Sequence, residues 1–319
     1  MASLLIISIL AAVFHSELIA DKVGEPFGTI ILAISVTVIQ VALIVSLMIA
    51  GGDQAITLAR DTVFAAVMIL LTIIVGLCIL IRGYKHFEQT FHEKSVNTVL
   101  VSLVAILVLS LILPNFLADP DSADNTPHLM FIALVCLVIY GTFIYVQTRR
   151  HRNYLLSERK EEHDEAHVTL PIYISLSFLL ISLVIVVLLA KTISPALKKI
   201  ILELGLPQAL LGVVIAAVIL LPEAIAAIKA ARKDDIQTSL NLSLGSALAA
   251  IGLTISSVVI VSMMFEIHIV LGLTGLNSLL LGLSVFTVLL SLSKRRTNIL
   301  YGVILISLFV TYIFTILYP

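Results

Sequence analysis

Long apolar runs recur from one end of the chain to the other, each closed by a short polar segment, and this feature restricts the fold most. A run of about 18 or more residues with few charges is long enough to cross a bilayer as a helix. Ten such spans can be placed, near 2–20, 26–50, 62–82, 96–118, 128–148, 170–191, 206–229, 237–264, 268–292 and 298–318. In lipid every backbone polar group must be satisfied inside the protein, which only helices and closed barrels achieve. The runs lack the strict alternation of barrel strands. The expected fold class is therefore an all-α integral membrane protein with ten transmembrane helices.

Composition agrees, with 60% hydrophobic and 12% charged residues among 319. The net charge is −1 and the Lys and Arg residues sit between apolar runs, so no basic surface for nucleic acid exists and that class is set aside. Cys78 and Cys136 lie singly within spans, without the spacing of a zinc site or redox pair, and read as small packing residues. The run beginning Met1 has no basic leader and reads as a first span, not a cleaved signal.

Positive residues favour the cytoplasmic side of a membrane. All 19 Lys and Arg except Arg60, Lys191, Lys198 and Lys199 fall in alternate loops, which places both termini outside, in a cell (inner) membrane. The long hydrophilic connection from Arg149 to His167 then lies in the cytoplasm. It separates a first five-helix unit, 1–148, from a second, 169–319, with the acidic linker at 149–168. Five is odd, so two related halves would face opposite ways, the inverted-repeat plan of many secondary transporters. Gln40 and Glu223 occupy corresponding places in the second span of each half. Each of those spans runs through a short polar loop into a third span carrying Asp61 or Asn241. Paired intramembrane polar residues of this kind mark a binding site near the midplane.

Glu223 is the most constrained of these residues. An ionised carboxylate in the centre of a membrane helix costs about 2.5–3.5 kcal/mol and should face protein or water. Its neighbour Pro222 has no N–H, which frees the carbonyl of Val218 four residues earlier. A carbonyl beside a carboxylate is a pair of oxygen donors for a hard cation. In the next span Ser239, Ser243 and Ser246 recur at helical spacing, with Asn241, Gly245, Ala249 and Gly252 on an adjoining face. Small residues permit close helix packing, and the hydroxyl and amide oxygens can either bridge helices or coordinate. Ala33, Thr37 and Gln40 share one helical face in the first half.

Other polar residues have plainer readings. Glu25 and Pro26 suit a helix start, with an entry carboxylate as the alternative. Asp61 follows Arg60 and can serve as a cap or ion pair as readily as a station on an ion path. His163 and His167 lie in the linker, which reads as a solvated segment, with ion or pH sensing as the sharper reading.

The stretches from Val23 to Ile39, from Ile219 to Ala231 and from Leu240 to Ile255 resemble the two α-repeats of bacterial ChaA-type calcium/proton antiporters, in the cation/calcium exchanger superfamily. The resemblance runs from about Lys22 to the C-terminus. It implies ten core helices in two inverted five-helix repeats, and exchange of Ca2+, or of Na+ or K+ in some members, against protons. It also implies that Glu223 is the central cation-binding glutamate of the second repeat. Two positions depart from the family pattern: Gln40 stands in place of glutamate and Ser256 in place of proline. The additional N-terminal helix that many members of the branch carry is not expected here. Gln has nearly the shape of a protonated Glu but cannot ionise, so one central carboxylate remains to titrate.

The expected function is exchange of Ca2+, or of Na+ or K+, for protons by alternating access, exporting the cation from the cytoplasm, with Glu223 taking a cation or a proton in competition. The expected donors are Glu223, Gln40, Asn241, Ser243, Ser246, Thr37 and the Val218 carbonyl. The alternatives are a monovalent cation/proton antiporter using one carboxylate, and a passive cation channel. No enzyme is expected: the spans carry no HExxH, no GxSxG and no pair of apposed aspartates. No cofactor is expected, and the partners are the bilayer, the transported cations and protons, with a homo-oligomer left open.

Overall fold

The structure is a computed structural model that describes residues 2–23, 27–51, 56–85, 89–91, 93–117, 126–146, 171–203, 205, 207–233, 235–265, 267–293 and 296–318. The linker 149–168, with His163 and His167, lies outside the described residues, as do Glu25 and Pro26.

The architecture is almost wholly helical. In chain order the elements are α1 (Ala2–Val23), α2 (Phe27–Gly51), α3 (Leu58–Met68), a π segment (Ile69–Ile74) and α4 (Val75–Lys85). After the short strand β1 (Gln89–Thr90) come α5 (Glu93–Leu107), a second π segment (Val108–Ile112), α6 (Pro114–Leu117) and α7 (Thr126–Tyr145). The remainder comprises α8 (Ile172–Glu203), α9 (Gln208–Ile219), α10 (Leu221–Arg232), α11 (Ile236–Met264), α12 (Gly275–Leu292), β2 (Arg296–Thr297) and α13 (Ile299–Leu317). Among the described residues, 7 continuous helical stretches are long and apolar enough to cross a membrane. A further bent pair, α9 with α10, meets the same test jointly, and shorter apolar helices cover Ser3–Ile19 and Ile34–Ile49.

The apolar content is spent on both sides of each helix, inward on packing and outward on lipid. The centre is α11, which packs on α2, α3, α4, α5, α7 and α10. The span from Leu58 to Tyr84 is 78% buried in its apolar window, whereas that of Ile299–Leu317 is 22% buried and turns most of its surface outward. Close approach is achieved with small residues, as expected where lipid offers no hydrophobic drive for helix association. Gly76 of α4 and Gly302 of α13 face each other: a Cβ on Gly302 would lie 2.7 Å from the Gly76 carbonyl, and one on Gly76 would lie 3.0 Å from the Gly302 carbonyl.

The expected span 268–292 is shorter in the structure. Residues 267–274 have no regular secondary structure, and α12 begins only at Gly275, with the Thr274 side chain as its N-cap. Apolar composition had made this stretch resemble the start of a helix. Its backbone instead finds partners on other elements: Val270 N–H donates to the Ile56 carbonyl at 3.1 Å and Leu273 N–H to the Leu111 carbonyl at 2.8 Å. Leu271 and Leu273 are buried, so the apolar residues pack inward although they are not helical. Elsewhere β1 and β2 pair antiparallel, Gln89 opposite Thr297 and Thr90 opposite Arg296, joining the loop after α4 to the loop before α13.

Candidate cation site

The site begins at the break between α9 and α10. The two helices meet at Leu220 with a 55° bend, and Leu220 itself has φ −84° and ψ 1°. Pro222 therefore does not sit inside a continuous helix, as the sequence suggested. It lies in the first turn of α10, where a missing N–H costs little. The bend and the proline have one cause: the N–H that would have continued the helix onto the Val218 carbonyl does not exist. Val218 is the penultimate residue of α9, at the end where helical carbonyls lack intrahelical donors.

Glu223 follows in the first turn of α10, where the positive end of the helix dipole favours a carboxylate. It is 6% exposed, its Oε2 has no hydrogen-bond partner, and its own backbone N–H contacts the carboxylate. Gln40, on α2, is 1% exposed, and its Oε1 is likewise buried without a partner. Buried oxygens are normally satisfied, so two unsatisfied ones on neighbouring spans are notable. Thr37 lies one helical turn before Gln40 and is buried.

The helix that brings these elements together is α11, which packs on both α2 and α10. Its serines are small enough to allow this, and they are already engaged with backbone. Ser239 Oγ lies 2.9 Å from the Ala227 carbonyl of α10 and 3.0 Å from that of Asp235. Ser243 Oγ donates to the Ser239 carbonyl at 2.8 Å. A hydroxyl that donates to a carbonyl still offers its lone pairs, so bridging and coordination are compatible. Asn241 Oδ1 accepts from Gln237 Nε2 at 2.9 Å. Ser246, further along α11, is partly buried.

Two sequence readings resolve structurally. Asp61 is held in an ion pair: Arg60 Nε donates to its Oδ1 at 2.8 Å, and Thr57 Oγ1 donates to its Oδ2 at 2.9 Å. Ser256 lies inside the continuous helix α11. Its Oγ donates to the Gly252 carbonyl at 2.7 Å and lies 3.0 Å from the Ala133 carbonyl of α7. Cys78 and Cys136 are buried and free, and the Cys78 thiol is in hydrogen-bond contact with Ser239. The sequence reading gave no role to Glu17, an exposed carboxylate of α1. An acidic residue inside an otherwise apolar run was the available signal. Among the described residues, no three His, Cys, Asp and Glu side chains gather as a metal cluster.

The sodium/calcium exchanger protein family profile matches residues 1–149 and 174–318. The chain belongs to this family. The exchanger is 41% identical over 98% of its length to the "Putative ionic transporter y4hA" of Sinorhizobium fredii, of which the alignment covers 86%. It is 31% identical over 98% of its length to the sodium-potassium/proton antiporter ChaA of Escherichia coli, with 87% of that protein covered. In fold it is similar to native YfkE, with a TM-score of 0.77 at 16% identity, covering 99% of the exchanger and 90% of YfkE. The H+/Ca2+ exchanger CAX aligns at a TM-score of 0.68 and 16% identity, over 98% of this chain and 81% of that one. The chain is thus a membrane cation exchanger and not an enzyme.

Proposed function

We propose that this antiporter exports Ca2+ from the cytoplasm in exchange for protons, by alternating access at a site centred on Glu223. The donors are Glu223, Gln40, Thr37, Asn241, Ser243, Ser246 and the Val218 carbonyl. The observation that carries this reading is the pair of buried, unpartnered oxygens, Glu223 Oε2 and Gln40 Oε1, on spans that α11 packs against. An unneutralised carboxylate at that depth is costly, so either a proton or a cation must occupy it. The two exclude each other at the same oxygens, and that exclusion is the coupling. A proton arriving at Glu223 releases the cation, and a cation arriving displaces the proton. No resident cofactor enters the cycle.

The proposed frame is ten spans in two inverted five-helix repeats, 1–148 and 169–319, with the acidic linker 149–168 in the cytoplasm and both termini outside. The family match in two blocks on either side of the linker supports it. So does a correspondence between two cross-connections. The offset that carries Gln40 onto Glu223 also carries Gln89 and Thr90 onto Gly272 and Leu273, and Leu113 and Pro114 onto Arg296 and Thr297. In one place the pairing is β1 with β2; in the other, Leu273 is bonded to Leu111 and to the Asn115 side chain.

A second reading is exchange of Na+ or K+ for protons. The single ionisable residue opposite Gln40 favours it, because a divalent ion at one carboxylate keeps a net positive charge. The similarity to ChaA points the same way. Ion-dependent proton movement in proteoliposomes tests both readings. Ca2+-driven proton release by the unaltered protein supports the first, and release only with Na+ or K+ selects the second. Cation flux without proton counterflow indicates a channel and overturns both.

A further inference from the structure

We infer that Gln40 fixes the coupling of this exchanger at a single proton per cycle, so that exchange of a monovalent cation is electroneutral while exchange of Ca2+ carries a net positive charge in the direction of the cation. This rests on the reading of Glu223 given above and adds to it the charge that crosses the membrane with each turnover.

The elements that form the site are almost without charge. Helices α2, α9 and α11 and the π segment Ile69–Ile74 contain no Asp, Glu, His, Cys, Tyr, Lys or Arg. On α10 the buried face consists of Pro222, Glu223, Ala227 and Ala231, and the Ala227 carbonyl on that face meets Ser239 of α11. Lys229 and Arg232, in the last turn of α10, are exposed. Glu223 is therefore the sole carboxylate of these five elements. Gln40, on the other span against which α11 packs, is as deeply buried and presents an unpartnered oxygen of its own. It offers a carbonyl donor that cannot ionise.

The ionisable groups on the helices packed against α2 and α10 are engaged or lie elsewhere. Asp61 of α3 is bonded to Arg60 and Thr57, and the ion pair has no net charge. Gly212 of α9 lies against the Asp61–Thr62 backbone, about three helical turns before Glu223. On α4, Cys78 meets Ser239, and its soft sulfur is a poor partner for Na+, K+ or Ca2+. Arg82, Tyr84 and Lys85 belong to the last turn of α4. On α1 the His15 ring stacks on Phe178 of α8 with 5.0 Å between centroids, and Glu17 lies on the exposed stripe with Ile7, Leu10 and Phe14. Asp21 and Lys22 end that helix. On α8, Tyr173 is exposed, and Lys191, Lys198, Lys199 and Glu203 fall towards its C-terminal end.

Charge then dictates the cycle. A lone carboxylate can surrender only the proton it holds, whichever cation displaces it. A monovalent ion replaces that proton charge for charge, and both loaded forms of the buried site are neutral. Ca2+ replaces it with a positive charge in excess, which is costly at that depth and is acted on by the membrane potential. A second carboxylate at position 40 would supply a second proton and cancel the excess.

The test uses the full-length protein in proteoliposomes, with a permeant lipophilic anion holding the potential at zero and each of Ca2+, Na+ and K+ as the driving ion. Net flux should stop when the cation ratio across the membrane equals the proton ratio. Balance at the square of the proton ratio means two protons per cycle and overturns the inference. In Gln40→Glu the balance for Ca2+ should move to that square, and an unmoved balance removes Gln40 from the role. Glu17→Gln should leave the balance as it is, and a shift overturns the inference. An imposed potential should displace the balance for Ca2+ and not for Na+ or K+. A displaced balance for a monovalent ion also overturns it. A count in detergent does not depend on transport, because cation binding at a protonated ligand releases protons. Saturating cation should release at most about one proton per molecule of the unaltered protein at any pH, and more than this from Gln40→Glu. Release of a second proton by the unaltered protein overturns the inference alone. Release of none at any pH, with any of the three ions, removes Glu223 from the exchange itself and takes the underlying reading with it.

Discussion

Arg60 Nη1 donates to the Gly272 carbonyl at 2.8 Å, joining the start of α3 to the non-helical segment before α12 across 212 positions of sequence. The same guanidinium pairs with Asp61, and Asn115 Nδ2 donates to the Leu273 carbonyl at 2.6 Å. Three elements, α3, the segment 267–274 and α6, are thereby fastened together.

Gly272 is required for that junction. A Cβ there would collide with the side chain of Asn115 and approach its backbone nitrogen to 3.2 Å. Gly272→Ala should lower the unfolding midpoint in detergent, with a cost of about 1–3 kcal/mol, as for other overpacked sites. Asn115→Ala in the same background should recover part of the loss, which a thermal-shift assay can follow.

The glycine crossing of α4 and α13 makes a stricter demand, because the obstacle is backbone on both sides. Gly302→Val should push the helices apart and cost more than Gly272→Ala, whose obstacle is partly a side chain. Reduced yield of monodisperse protein on size exclusion, with residual material unfolding at lower temperature, is the expected outcome.

Ser256 is a smaller case. Ser256→Ala removes a hydroxyl that binds the Gly252 carbonyl and lies against the Ala133 carbonyl. A loss of about 0.5–1.5 kcal/mol is expected, with exchange retained, since a backbone carbonyl in α11 keeps its helical donor. Detergent unfolding curves and transport assays on the same preparation check both halves of this statement.

At the cation site, Glu223→Gln should abolish proton-coupled exchange while leaving the unfolding midpoint unchanged or higher, because it removes a buried, partly unsatisfied charge. Gln40→Glu should strengthen Ca2+ binding relative to Na+ by adding a second negative charge. Isothermal titration with each ion distinguishes this from a general change in affinity. Unimpaired exchange by Glu223→Gln would remove Glu223 from its role.

The membrane class was legible because apolar length is a direct consequence of bilayer thickness, and Glu223 stood out because an intramembrane carboxylate is costly wherever it points. The helix break was only half visible. Pro222 announced a missing N–H, but the sequence did not say whether the helix would bend around it or restart. The non-helical segment 267–274 resembles helix in sequence because its apolar residues suit lipid and protein interior alike, and its backbone partners Ile56 and Leu111 are far away in sequence.

The two π segments carry one further implication. Each holds more residues per turn than the α-helix on either side, so Ile69–Ile74 and Val108–Ile112 each store one residue of spare length inside a candidate membrane span. Thr72 helps to hold the first by donating from its hydroxyl to the Met68 carbonyl. Removing a single residue almost anywhere else in a membrane helix rotates everything beyond it by about 100° and misplaces every side chain. Within these two turns a deletion would simply wind the wider turn into an ordinary one, so here the chain can lose a residue and keep its register.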